Sequence, residues 1–256
     1  MTNPFLQGDQ DAWGPGSLEM ALPLIEAARI ERGMRVLEVG GGSGQIATTL
    51  AKHWNVTVFT LEPWFGGAHI QTLAANEGVW EKVVGLKLKA QELPFAAETF
   101  DAIISVGSFE MIGDDRPNAL AEMVRVAKVG ARVGIAEPMC MPVPIPPDVA
   151  ELDRGGNLKF EHHFRSVEWN AELFRGTGLK VVEESYFPNA FEWWLQHLEE
   201  GHPSASLQKL MPSSRLASPR KNLERELIQR DGGRWISLGM VVGEKLALTV
   251  REVEEN

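Results

Sequence analysis

Apolar runs of five or six residues alternate with amphipathic stretches from Gly16 to Glu137. Leu18, Leu22, Ile25 and Ala28 recur at helical spacing and predict a first helix over about 18–29. Residues 35–39 and 57–61 are nearly continuous apolar runs, the form taken by strands buried on both faces. A helix over about 66–77 leads into a third strand at 83–88. Strands at 101–106 and 132–137 flank a helix from Pro117 to about Ala127, with the proline suited to its first turn. Repeated β-α-β units of this length imply a parallel sheet with right-handed crossovers.

Past Glu137 the rhythm breaks. The segment Pro138-Met139-Cys140-Met141-Pro142-Val143-Pro144-Ile145-Pro146-Pro147 predicts an extended loop rather than a helix or central strand. A helix at 167–176, a strand at 180–186 and helical material to about Gln229 follow. The turn Asp231-Gly232-Gly233 then introduces a last strand at 234–242. With no internal repeat and no linker, one domain is expected over 1–256. Its parts are an N-terminal helix or lid (1–33), a core (34–137) and a substrate-side region (138–256).

Composition narrows the partners. The 256 residues are 44% hydrophobic and 23% charged, as in an ordinary globule. One cysteine, Cys140, excludes an internal disulfide. The net charge of −10, from 35 acids against 25 lysines and arginines, comes with no basic cluster. A nucleic-acid partner is therefore not expected, since it needs a basic face to displace counterions. The acidity suits a small neutral or cationic substrate and serves solubility equally well. No charged-then-apolar leader and no membrane-spanning run is visible, so a cytoplasmic protein is expected.

The chemistry concentrates at Val36-Leu37-Glu38-Val39-Gly40-Gly41-Gly42-Ser43-Gly44, a strand ending in a glycine turn that runs into a helix. Glycines there allow positive φ and close approach of a ligand to the main chain. The second strand stops on Glu62, where a doubly wound fold grips a ribose. Two readings compete. Gly42-Ser43-Gly44-Gln45-Ile46-Ala47 satisfies G-x-G-x-x-A, with an acid about twenty residues on, the pattern of an NAD(P)-dependent oxidoreductase. Glu38, however, is an unexplained carboxylate in a hydride-transfer site.

An acid followed by three glycines at alternate positions (Glu38, Gly40, Gly42, Gly44) resembles the cofactor site of class I S-adenosylmethionine (SAM) dependent methyltransferases of the small-molecule type. The resemblance covers roughly Met34 to Glu137 strongly and the rest weakly. It implies a doubly wound α/β fold with a mostly parallel, seven-stranded sheet in the order 3-2-1-4-5-7-6, the last strand antiparallel. Helical material over Asn189–Arg230 would then form a substrate cover. It implies SAM as cofactor and S-adenosylhomocysteine as product, with the turn Gly40, Gly41, Gly42 and Gly44 beside the methionine part. Glu62 would hold the ribose hydroxyls, followed by Pro63 and Trp64. Leu88-Lys89-Ala90-Gln91-Glu92-Leu93-Pro94-Phe95 resembles the adenine-side loop G-D-A-x-x-L-P-F. Lys89 departs from its aspartate and cannot accept a hydrogen bond, which leaves that contact to Gln91. Ser105 and Val106, at the end of the fourth strand, open a segment similar to those that line cofactor and acceptor in the family.

SAM carries an activated methyl group, so no catalytic triad is demanded and none is visible; nor is any metal-binding spacing. The (N/D)-P-P-(Y/F) signature of methyltransferases acting on planar amines is absent. Glu110 either orients a polar acceptor or takes its proton, or it caps or faces solvent. His163, beside His162, is either a general base or a structural histidine. Glu137 either faces the active edge or pairs with a loop amide. Trp13 suits a lid, and Trp64 a stack near the adenosine. Trp169, Trp193 and Trp194 either wall the acceptor site, surround a cation, or simply pack. A small-molecule acceptor is the expected partner. A third reading, a SAM-fold protein that binds without turnover, stays open beside the methyltransferase and the oxidoreductase.

Overall fold

The computed structural model describes residues 2–7, 11, 13–154, 159–199, 210 and 220–247. Seven strands form one sheet: β1 (Arg35–Val39), β2 (Thr57–Leu61), β3 (Val83–Leu86), β4 (Phe100–Val106), β5 (Ala127–Cys140), β6 (Leu179–Tyr186) and β7 (Ile236–Lys245). Their order is β3-β2-β1-β4-β5-β7-β6. The first five are parallel neighbours, and β7 runs antiparallel to both β5 and β6. This is the expected doubly wound topology and order.

Successive residues of each strand feed two separate cores, which is why the strands read as nearly continuous apolar runs. Val36, Val58, Ala102 and Ile104 pack on one face, against α1 (Ser17–Ala27), α2 (Gln45–Trp54) and α3 (Ala68–Asn76). Leu37, Val39, Leu61 and Ile103 pack on the other, against α4 (Arg116–Val126) and α7 (Val167–Gly176). Leu24, Leu50, Leu120 and Phe174 anchor these helices with no exposed surface. Each such side chain contributes about 1.5–3 kcal/mol. Ser166 caps α7 by accepting from the Trp169 amide at 3.2 Å.

The strand β5 runs through Pro138, which the sequence placed in a loop. The carbonyl of Ala136 accepts from the Gly107 amide at the end of β4. Two residues on, Pro138 turns its nitrogen to the same side, beyond the last paired residue of β4, where no donor is required. Its other side pairs with Leu238 of β7. Two short helices the sequence did not announce follow, α5 (Pro147–Ala150) and α6 (Phe160–His163). The strand β3 ends at Leu86 rather than 88, and β7 begins at Ile236 rather than 234. Between β6 and β7 lie α8 (Ala190–Glu199) and α9 (Arg220–Asp231). The rest of the expected cover, apart from Leu210, falls outside the described residues. No helix among the described residues is long and apolar enough to cross a membrane.

Candidate functional site

A cleft of about 670 Å³ opens at the carboxyl edge of β1, β2 and β4. Between β1 and β4 the strand order reverses, and open α/β sheets bind ligands at that point. The amides of Gly40 and Gly41 donate to the Leu61 carbonyl (3.0 and 2.8 Å), which folds the turn across the end of β2. Gly40 has φ +82°, and a Cβ on it would lie 2.0 Å from Ser108 Oγ. Ser108 donates to the Val39 carbonyl at 2.7 Å, and the Ser105 hydroxyl lies 2.8 Å from Ser108 Oγ. Gly40, Gly41 and Gly42 line the cleft, whereas Gly44 sits behind it at the head of α2. Ser105 likewise supports the wall without forming it.

Glu62 lies in the wall with only 3% of its surface exposed. Its Oε1 accepts from the amides of Trp64 (2.8 Å) and Phe65 (3.3 Å), so the chain after β2 holds the carboxylate in place. Pro63, Trp64, Ala90, Gln91 and Val106 join the same wall. Trp64 is 61% exposed, leaving an aromatic face uncovered at the cleft mouth. The loop carrying Ala90 and Gln91 is anchored by Arg125, which donates to the carbonyls of Leu93 and Phe95 at 2.8 Å each. Lys89 is also in the wall.

Glu38 is not in the wall. It is buried beneath the turn, and its Oε2 has no hydrogen-bonding partner. Burial pushes its carboxyl up to about 7; the nearby Thr60 hydroxyl opposes this and the Glu62 charge adds to it. Above the turn, the Trp13 ring lies within 3.5 Å of where a Cβ on Gly42 would project. Trp13 stacks on His69 (5.8 Å between centroids, 13° between planes), and His69 Nε2 is 2.7 Å from the Gly42 carbonyl oxygen. The N-terminal segment thus forms part of a roof.

Beyond the glycine turn the wall becomes apolar, with Leu18, Ile112, Phe160, Phe164, Trp194 and Leu227. Glu110 and His163, the two candidate catalytic residues, both belong to this half. Glu110 does not face solvent: it is 6% exposed, and its Oε2 is buried without a partner. Burial raises its carboxyl to about 7. Its amide donates to Glu137 Oε2 at 2.7 Å, so Glu137 does pair with a loop amide. Burial, then the Glu110 charge, holds Glu137 well above the usual carboxylate range.

Sequence reasoning missed Arg116. Fully buried at the start of α4, it donates to the carbonyls of Glu110 and His163 and so ties α6 to the loop after β4. Its position directly after Asp114-Asp115 and before Pro117 was the available signal. The tryptophans divide. Trp194 walls the cleft, Trp193 packs on Phe187, and Trp169 lies outside it beneath the guanidinium groups of Arg116 and Arg165. The cations at Trp169 are therefore the protein's own.

Residues 37–135 match a family described as "Methyltransferase domain". Over 118 residues the chain is 36% identical to an uncharacterized protein of Mycobacterium tuberculosis, covering 46% of this chain and 42% of that one. Over 116 residues it is 28% identical to the ubiquinone/menaquinone biosynthesis C-methyltransferase UbiE of Idiomarina loihiensis, covering 44% of this chain and 46% of UbiE. The matches thus span under half the length of these curated relatives. In three dimensions the chain resembles the [4+2]-cyclase SpnF, with a TM-score of 0.71 at 17% identity. That likeness covers 90% of this chain and 82% of SpnF.

Proposed function

We propose that this protein transfers a methyl group from SAM to a small-molecule acceptor. The observation that carries the reading is the placement of Glu62. A carboxylate closing β2, fixed by two amides, faces a cleft whose adjoining floor is the Gly40–Gly42 turn. The residues present suit SAM. Glu62 would accept from the ribose hydroxyls. Pro63, Trp64, Ala90 and Gln91 would surround the adenine, and the glycine turn would leave main chain open beside the methionine part. A cleft of about 670 Å³ is large enough for a nucleoside and a small acceptor together. When bound, SAM supplies a sulfonium-activated methyl group for in-line displacement. The protein's share is to orient the acceptor, exclude water and dispose of any released proton.

The UbiE likeness supports methyl transfer, while the SpnF likeness cautions that one fold hosts different reactions. A thermal-shift panel separates the readings. Stabilisation by S-adenosylhomocysteine but not NADH is expected, followed by mass-spectrometric detection of methylated product from an acceptor panel. Stabilisation by NADH alone would return the protein to the oxidoreductases. Cofactor binding without any methylated product would leave a SAM-fold protein that does other work.

A further inference from the structure

Two buried polar atoms in the acceptor half of the cleft lack partners, Oε2 of Glu110 and the indole Nε1 of Trp194. Buried polar groups are ordinarily hydrogen-bonded, so unpaired ones in a binding wall mark what the ligand brings. One is a carboxyl and the other a donor, and the wall around them is mostly apolar, with His163 and Glu224 as its other polar side chains. We propose that the acceptor is an uncharged, largely apolar molecule with a weakly acidic hydroxyl, and that Glu110 receives its proton as the methyl group is transferred. The inference rests on the methyltransferase reading above.

Charge decides the class of acceptor. Among the described residues, the only lysine or arginine in the cleft wall is Lys89, which belongs to the Ala90–Gln91 loop on the far side of Glu62. Arg116 is fully buried and is not part of the wall. A carboxylate or phosphate on the acceptor would therefore lie beside Glu110 with no counter-charge. An ammonium acceptor would lie beside the sulfonium, two cations in a dry site. A neutral hydroxyl avoids both costs.

The step balances simply. The acceptor oxygen forms its bond to the methyl carbon while the carbon–sulfur bond breaks and its electron pair stays on sulfur. The O–H bond breaks with its electrons left on oxygen, and the proton passes to the Glu110 carboxylate. The groups facing Glu110 are Glu137 on β5, Arg116 on α4 and His163 on α6, while Asp114 in the same loop acts on Arg116. Glu137 and Arg116 are positioning residues, the first through the Glu110 amide and the second through its carbonyl. With its carboxyl at about 7, Glu110 is matched to proton transfer near neutral pH.

The test compares wild type and Glu110→Gln on phenols and naphthols of graded acidity, with S-adenosylhomocysteine affinity measured by calorimetry. For neutral phenols, kcat should fall by roughly 10²–10⁴-fold and lose its ascending limb near pH 7. The loss should shrink toward none for nitrophenols already ionised in the assay. S-adenosylhomocysteine affinity should stay within about twofold, since Glu110 lies outside the half assigned to the nucleoside. In the ternary complex with that product, a neutral naphthol should bind more tightly to wild type above about pH 7, where the Glu110 carboxylate can accept its hydrogen bond, and Glu110→Gln should lose that pH dependence. Trp194→Phe should raise KM and leave the pH profile in place. Undiminished kcat in Glu110→Gln, an equal loss on neutral and ionised phenols, or wild-type turnover confined to anions or amines would overturn the proposal. So would no turnover of any phenol by wild type that binds S-adenosylhomocysteine. If wild type does not bind that product at all, the methyltransferase reading fails first. Should Glu110→Gln not bind it, Glu110→Asp replaces it in the test; a slower enzyme that keeps the limb supports the proposal, and loss of the limb refutes it.

Discussion

Ser108 Oγ occupies the place where a side chain on Gly40 would begin, 2.0 Å from the position of its Cβ. The loop after β4 is thereby locked onto the turn after β1, because Ser108 also donates to the Val39 carbonyl at 2.7 Å. Gly40→Ala therefore meets two obstacles, the Ser108 contact and a left-handed backbone at φ +82°. Affinity for S-adenosylhomocysteine, measured by calorimetry, should fall at least about tenfold. Adding Ser108→Gly removes the contact but not the backbone cost of about 1–2 kcal/mol, so the double variant should recover only part of the affinity. Full recovery would show that the backbone conformation costs nothing here.

Glu62 offers a cleaner measurement, because its environment separates holding from binding. Its Oε1 is taken by the Trp64 and Phe65 amides, and glutamine can keep that acceptor. Glu62→Ala should weaken S-adenosylhomocysteine by about 10–150-fold, the value of charged hydrogen bonds at about 1.5–3 kcal/mol. Glu62→Gln should fall between alanine and wild type. Equal affinities for all three proteins by calorimetry would rule out a contact with the ribose.

Trp13 covers Gly42 and stacks on His69, yet it belongs to a segment outside the sheet. A roof of this kind slows escape more than it assists entry. Trp13→Ala should therefore raise the dissociation rate of S-adenosylhomocysteine in stopped-flow experiments, with the association rate changing less. A change confined to association would mean that Trp13 guides entry instead of closing the site.

The frame was legible because buried parallel strands leave a plain pattern. β1 and β2 fall at their expected limits, and Glu62 follows from the strand that ends before it. Pro138 was misplaced because a proline is neutral where the neighbouring strand has stopped, and that end point is a tertiary fact. The acceptor half was harder to read. Arg116 acts through carbonyls of residues 110 and 163, a link that sequence spacing does not carry. The clustering of tryptophans pointed to Trp194 but could not separate it from Trp193 or Trp169, since all three sit in or beside helices with apolar faces. Glu38 fitted the motif, yet its place beneath the wall emerged only from the fold.

That buried place makes Glu38 a liability for stability at neutral and alkaline pH. Its carboxyl sits at about 7 in the folded protein, against an ordinary value of 4.5, and burial is the main cause. The folded state therefore binds this proton more tightly than the unfolded chain does. The resulting stabilisation is complete below about pH 4.5 and disappears as the pH rises through about 7, a change of roughly 3 kcal/mol. Glutamine keeps the shape and cannot ionise. The stability of Glu38→Gln relative to wild type should accordingly rise between pH 5 and pH 8, by up to about 3 kcal/mol. Urea unfolding of both proteins at several pH values measures that difference directly. Taking the difference removes the parallel contribution of Glu110 and Glu137, which both proteins share. A difference that does not vary with pH would mean that Glu38 titrates alike in the folded and unfolded chains.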